Sequence, residues 1–131
     1  MCRIVNARQE TDMAKFMFLF RGGGYAGQVQ LSPTEVQQHL ARWNEWSEGL
    51  RAAGRLATAQ PLSHPPTGKT VRGREKVVTD GPYAESKDLV SGILVVEADS
   101  LDEAATLARG CPILDLDGSV EVRPVLVVPG M

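Results

Sequence analysis

Cysteine is scarce in this chain. Cys2 and Cys111 are the only two in 131 residues, far apart and without a CxxC spacing. That argues against a disulfide framework, and both are expected as reduced thiols of a cytoplasmic protein. Long apolar runs are missing too: none approaches the ~20 residues of a membrane span, so no membrane partner is expected. Residues 1–12 are polar and lack the apolar centre of a signal peptide; they read as a disordered extension ahead of one domain over 13–131. There is no excess of positive charge. Fourteen basic residues face sixteen acidic ones, a net −2, which speaks against direct nucleic-acid binding. The glycine-rich loop from Gly22 to Leu31 has no phosphate-binding spacing, so no cofactor is expected. The two histidines, His39 and His64, have no acidic or cysteine residues at ligand spacing, so no metal is expected either.

What remains is ordinary for a soluble domain, with 43% apolar and 23% charged residues and enough length for one core. Lys15 to Phe20 is a short continuous apolar run, the pattern of a strand buried on both faces. Ser32-Pro33-Thr34-Glu35 supplies a cap, a first-turn proline and a capping-box glutamate. The helix it opens extends to about Ala53, with Gly54 as terminator and Val36, Leu40, Trp43 and Leu50 as its apolar stripe, Trp46 at the edge. Arg55 to Leu62 reads as a strand. Lys69–Arg72 and Glu75–Thr79 flank a turn around Gly73 and predict a hairpin. Gly92 to Glu97 is a second strand apolar on both faces. Ser100-Leu101-Asp102-Glu103 repeats the capping box and starts a shorter helix with Leu101, Ala104, Ala105 and Ala108 inward. Ser119 to Arg123 alternates, and Pro124 forces an edge or bulge position.

Two strand–helix–strand halves predict an α+β, ferredoxin-like sandwich with an added hairpin. Right-handed crossovers put both helices on one face and leave the other bare. Since Phe16–Phe20 and Ile93–Val96 are apolar at consecutive positions, a twofold homodimer with sheets packed face to face is the simplest cover.

The segment Thr79-Asp80-Gly81-Pro82-Tyr83-Ala84-Glu85-Ser86-Lys87 resembles the signature of the YCII-related family in its DGPF-type branch, with tyrosine where phenylalanine is usual. Gly118 to Val125 is similar to the family's closing strand and Lys15 to Phe20 to its first, so the resemblance spans about 13–128. It implies a dimeric α/β barrel of ferredoxin-like protomers. Members are mostly uncharacterised bacterial proteins, some encoded beside or fused to extracytoplasmic-function sigma factors. Another branch carries a His–Asp pair proposed as an acid–base site; that histidine is not carried over onto His39 or His64.

The candidate chemistry centres on the signature. Glycine and proline can hold the Asp80 carboxylate in one orientation at a strand end, as a general base or an orienter for one requires. Equally, Asp80 can simply bond to nearby backbone amides, as aspartate does in turns. Tyr83, Glu85 and Lys87 alternate and share a face if the loop is extended, giving an oxyanion donor, a proton carrier and a carboxylate-binding amine. The bland reading makes Tyr83 a rim ring and Glu85 and Lys87 a solvated pair. His39 borders the apolar stripe and has an ordinary pKa suited to acid–base work, although such a residue also serves as a half-buried filler. Cys111, at a helix C-terminus, is a poor nucleophile. Lys69, Arg72, Arg74 and Lys76 make a basic hairpin, and Asp115 and Asp117 flank Leu116 in a turn.

Two function classes follow. In one, the protein is an enzyme acting on a small polar or carboxylated molecule at a dimer-associated cleft, with Asp80, Glu85 and His39 catalytic and Tyr83 and Lys87 binding substrate. In the other it is a non-enzymatic sensor or adaptor for a regulatory protein such as a sigma factor, meeting it through the basic hairpin and loop 21–31. A purely structural dimer is the third possibility.

Overall fold

Three phenylalanines at alternate positions set the frame. The structure, a computed structural model, describes residues 13–22, 31–62, 67–81 and 89–130. Strand β1 (Ala14–Arg21) turns Phe16, Phe18 and Phe20 to one side, all buried. Strand periodicity puts Met17 and Leu19 on the other, where they are only half-buried. The expectation of burial on both faces is thus met on one face by the chain itself.

Helix α1 (Pro33–Ala52) begins as the capping box predicts: Glu35 N–H donates to the Ser32 hydroxyl at 3.2 Å and Ser32 N–H to the Glu35 carboxylate at 2.9 Å. Strand β2 (Leu56–Pro61) follows, then the hairpin strands β3 (Lys69–Arg72) and β4 (Val77–Asp80), β5 (Val90–Ala98), α2 (Leu101–Ala108), a 3₁₀ turn (Pro112–Leu116) and β6 (Ser119–Pro124). The main sheet is antiparallel in the order β2-β5-β1-β6, and β3-β4 forms a separate two-stranded sheet. Registers such as Phe18↔Leu94 and Phe18↔Val122 place one apolar row across three strands. Leu50 from α1 and Ala104 and Ala108 from α2 cover that row, so both helices lie on one face, compatible with a ferredoxin-like fold. Proline 124 sits on the outermost strand, as its missing N–H requires.

Several details depart from the expected pattern. Only Leu50 of the predicted α1 stripe is buried; Val36 and Leu40 are exposed and Trp43 is half-buried, while Trp46, placed at the edge, stacks on Phe18 with centroids 6.2 Å apart. In α2, Leu101 and Ala105 face solvent and Leu107 packs on the core. Its capping box is half-formed. Ser100 accepts from Glu103 N–H at 3.1 Å, but the Glu103 carboxylate takes the Asp99 N–H (2.6 Å) and both guanidinium nitrogens of Arg55 (3.1 Å each). That fork ties the start of β2 to the start of α2, a geometry in which arginine matches a carboxylate with two parallel bonds. Glu75 and Lys76, read as strand, belong to the hairpin turn, where Lys76 takes φ 57° and Gly73 φ 74°. No helix is long and apolar enough to cross a membrane among the described residues.

Candidate functional site

Asp80 closes β4 opposite Lys69 in the hairpin register, and the Lys69 Nζ lies 2.5 Å from its Oδ1. The backbone beyond is fixed from both sides: Gly81 N–H donates to the Gly68 carbonyl at 2.7 Å, and the Thr70 hydroxyl donates to the Gly81 carbonyl at 2.7 Å. Gly81 has φ 76°, a left-handed value glycine adopts at no steric cost, and a Cβ there would touch nothing within 4 Å. Glycine is required here by conformation, not by space. The Asp80 side chain is 85% exposed and points to water. An ion pair in such a place contributes little. Asp80's partner is an amine across the ladder, where the turn reading supplies backbone amides. Tyr83, Glu85 and Lys87 lie outside the described residues, as do His64, Cys2 and most of loop 21–31.

His39 occupies a different environment. It sits one helical turn before Trp43, whose indole N–H donates to His39 Nε2 at 2.8 Å. Trp43 in turn meets the edge of Phe20, centroids 5.1 Å apart at 87°, so the ring chain Phe20–Trp43–His39 runs from the core outward. With Nε2 accepting, the neutral ring carries its proton on Nδ1. That Nδ1 is buried and has no hydrogen-bond partner among the described residues. Burial holds the His39 pKa below its usual value, the Arg42 guanidinium lowers it further, and Asp115 opposes both. Arg42 and Asp115 approach each other at 3.8 Å. The sequence flagged His39 and read Trp43 as a core anchor; the i, i+4 spacing of the two rings was the available signal for their bond.

The titration of His39 has a sign that can be tested. Its folded pKa lies below the unfolded value near 6.5, so the unfolded chain binds the extra proton. Stability from this group is complete above about pH 6.5 and is lost as pH falls through the folded pKa. Urea denaturation from about pH 7.5 down to about pH 5.5, where most carboxylates stay ionised, should show wild type weakening more than His39→Gln. Equal slopes for the two proteins would contradict the assignment.

The remaining candidates have local tasks. His39 and Asp80 bond to different partners and do not bond to each other. Burial, chiefly, pushes the Cys111 thiol up to about 12, which confirms it as a poor nucleophile. Asp115 belongs to the 3₁₀ turn beside Arg42, and Asp117 ends that turn in the left-handed region.

A family model described as the YCII-related domain matches residues 17–129. The chain is similar to the uncharacterised protein R00369 of Rhizobium meliloti (strain 1021), 38% identical over 82 residues. That alignment covers 60% of this chain and 66% of the length of the relative. The match takes in this chain's first strand from Met17 onward, both capped helices and the closing edge strand, and the chain belongs to the YCII-related domain family.

Proposed function

We propose that this protein binds a small polar or carboxylated molecule beside α1, with His39 as the group that donates to it and carries the proton in any acid–base step. The observation that carries the reading is the unmet Nδ1–H of a ring pinned by Trp43. A buried donor left without an acceptor costs about 1–3 kcal/mol. A ligand oxygen that displaces the cover of this buried atom and accepts from it removes that cost, so binding is selective for an acceptor. A carboxylate or carbonyl oxygen qualifies; an ammonium group does not. Arg42, three residues along the same helix, stands on that side with Asp115 3.8 Å away, so the pair offers a cation already balanced by a carboxylate.

The reading includes a homodimer of the dimeric α/β-barrel kind. Its support is the second face of the main sheet, where half-buried Met17 and Leu19 of β1 stand opposite Val95, which is buried, and Ile93, which is half-buried, of β5. Burying such side chains contributes about 1.5–3 kcal/mol each, enough for several pairs to outweigh association costs.

The test is a thermal-shift titration with acetate, succinate and benzoate, alongside their amides and the matching amines. A ligand specific for the folded state raises apparent stability by roughly 2.7 kcal/mol at a hundred times Kd. Carboxylates or amides should shift wild type and leave His39→Phe unmoved, and amines should shift neither. A shift that survives intact in His39→Phe would show that binding occurs elsewhere.

A further inference from the structure

The β3–β4 ribbon takes no part in that reading. Its strands pair with each other, from Lys69↔Asp80 to Arg72↔Val77, and with no strand of the main sheet among the described residues. Both long edges therefore present backbone groups unclaimed by any described strand. An isolated two-stranded hairpin is at best marginally stable in water, and a third strand is the ordinary remedy.

Its side chains point the same way. Val71 and Val78 face each other across the ladder at 64% and 56% exposure, and Val77 on the opposite face is 46% exposed. Free edges that exist only to be protected carry charges, proline or bulges. Three exposed β-branched residues on both faces of so short a ribbon do the reverse. The charge is also uneven. Lys69, Arg72, Arg74 and Lys76 stand against Glu75 and Asp80, so residues 69–80 carry 4 − 2 = +2 in a chain of net −2. At the turn, a groove of about 390 Å³ is lined by Arg72, Gly73, Arg74, Glu75 and Val77.

We propose that the β3–β4 hairpin is a docking ribbon that accepts an extended acidic segment of a partner protein as a third strand. Backbone bonds along the free edge supply affinity, and alternate side chains supply specificity. Because strand side chains alternate between faces, the fitting segment alternates carboxylates with β-branched apolar residues. Added along the β4 edge, its apolar residues meet Val78, with Val71 one strand further in on the same face, and its carboxylates near the turn meet Arg74 and Lys76. Charge complementarity selects this occupant: a basic segment is repelled, and a plain polyanion satisfies the cations but leaves the valines bare.

The probe is a fluorescein-labelled peptide of roughly ten residues alternating glutamate and valine, titrated with the full-length chain and read by anisotropy. Comparison peptides alternate lysine with valine and glutamate with serine, and inorganic polyphosphate serves as a competitor. The Glu–Val peptide should bind saturably, and more weakly as salt rises from about 50 to about 500 mM. The double variant Arg74→Glu/Lys76→Glu should weaken it by about tenfold or more. Val71→Ser/Val78→Ser should weaken it by roughly fivefold with circular dichroism unchanged, and the Lys–Val peptide should not bind. Three results overturn the proposal. The Glu–Val peptide fails to bind. Glu–Ser and polyphosphate bind as well as Glu–Val and ignore the valine variants, marking a simple anion surface. Or the ribbon variants turn a dimer into monomers while no peptide binds, showing that a second copy covers the ribbon. The His39 titration is unaffected by any of these outcomes, so the two readings stand or fall separately.

Discussion

Phe18→Ala should lower the unfolding free energy by about 3–5 kcal/mol. Phe18 is fully buried, at 0% exposure, in the middle of the central strand. Its ring stacks on Trp46 of α1, and its register neighbours are Leu94 on one side and Val122 on the other. Truncation removes contacts to three elements at once. The hole is bounded by paired strands and a twenty-residue helix, which cannot close in without breaking their own hydrogen bonds. The full cavity cost is therefore expected, in addition to the lost transfer energy. A domain of this kind has only about 5–15 kcal/mol to lose. Urea titration should show a large drop in midpoint with little change in slope, and the melting temperature should fall by about 10–20 °C. Phe16→Ala, nearer the strand's start, gives a useful comparison. A loss below about 1 kcal/mol for Phe18→Ala would mean that the helices do not pack on this row.

The same row explains what the sequence could disclose. Lys15 to Phe20 reads as a strand, and Ser32, Pro33 and Glu35 occur in the order a helix start demands; both patterns are local and both elements are found in the structure, although the strand buries only its alternate phenylalanines and not both faces. Pro124 on an edge strand is equally local, since it follows from one missing donor. The α1 stripe was legible only in its second half. Periodicity says which residues share a helix face, but not how far the sheet extends beneath it, and Val36 and Leu40 are left exposed. The Arg55–Glu103 fork joins residues 48 positions apart, and neither residue type is specific enough to announce its partner. At the candidate site, the need for glycine at 81 was readable as conformational freedom, but its left-handed φ of 76° was not fixed by the extended bias that a following proline gives. Asp80's exposure was not, because it depends on the ribbon standing apart from the main sheet. His39 was visible as a residue, and its i, i+4 spacing to Trp43 allowed a contact, but which ring nitrogen accepts depends on rotamers that spacing alone does not fix.

Gly118→Ala should cost about 1–3 kcal/mol or more, although it adds a single methyl group. Gly118 stands between the 3₁₀ turn and β6, and its N–H donates to the Ile113 carbonyl at 3.0 Å. A Cβ built there would lie 2.6 Å from Ile113 Cγ1, 2.8 Å from the Arg21 carbonyl oxygen and 2.9 Å from the Ile113 carbonyl oxygen. The side-chain contact is relievable; the two oxygens are backbone, one at the end of β1 and the other in the turn. To accept alanine, β1 and the turn must separate, and the Phe20↔Val120 and Arg21↔Ser119 pairs beside them must stretch. Gly81→Ala is a contrasting case. There the methyl group meets open space, and the cost is the left-handed backbone alone, about 1–2 kcal/mol. The two mechanisms separate in a double-mutant test. Ile113→Ala removes Cγ1 and leaves both carbonyl oxygens in place, so the extra loss caused by Gly118→Ala should be nearly as large in an Ile113→Ala background as in wild type. Disappearance of that extra loss in the Ile113→Ala background would show that the conflict lies in the isoleucine side chain and that the close backbone approach between β1 and the turn is not what demands glycine.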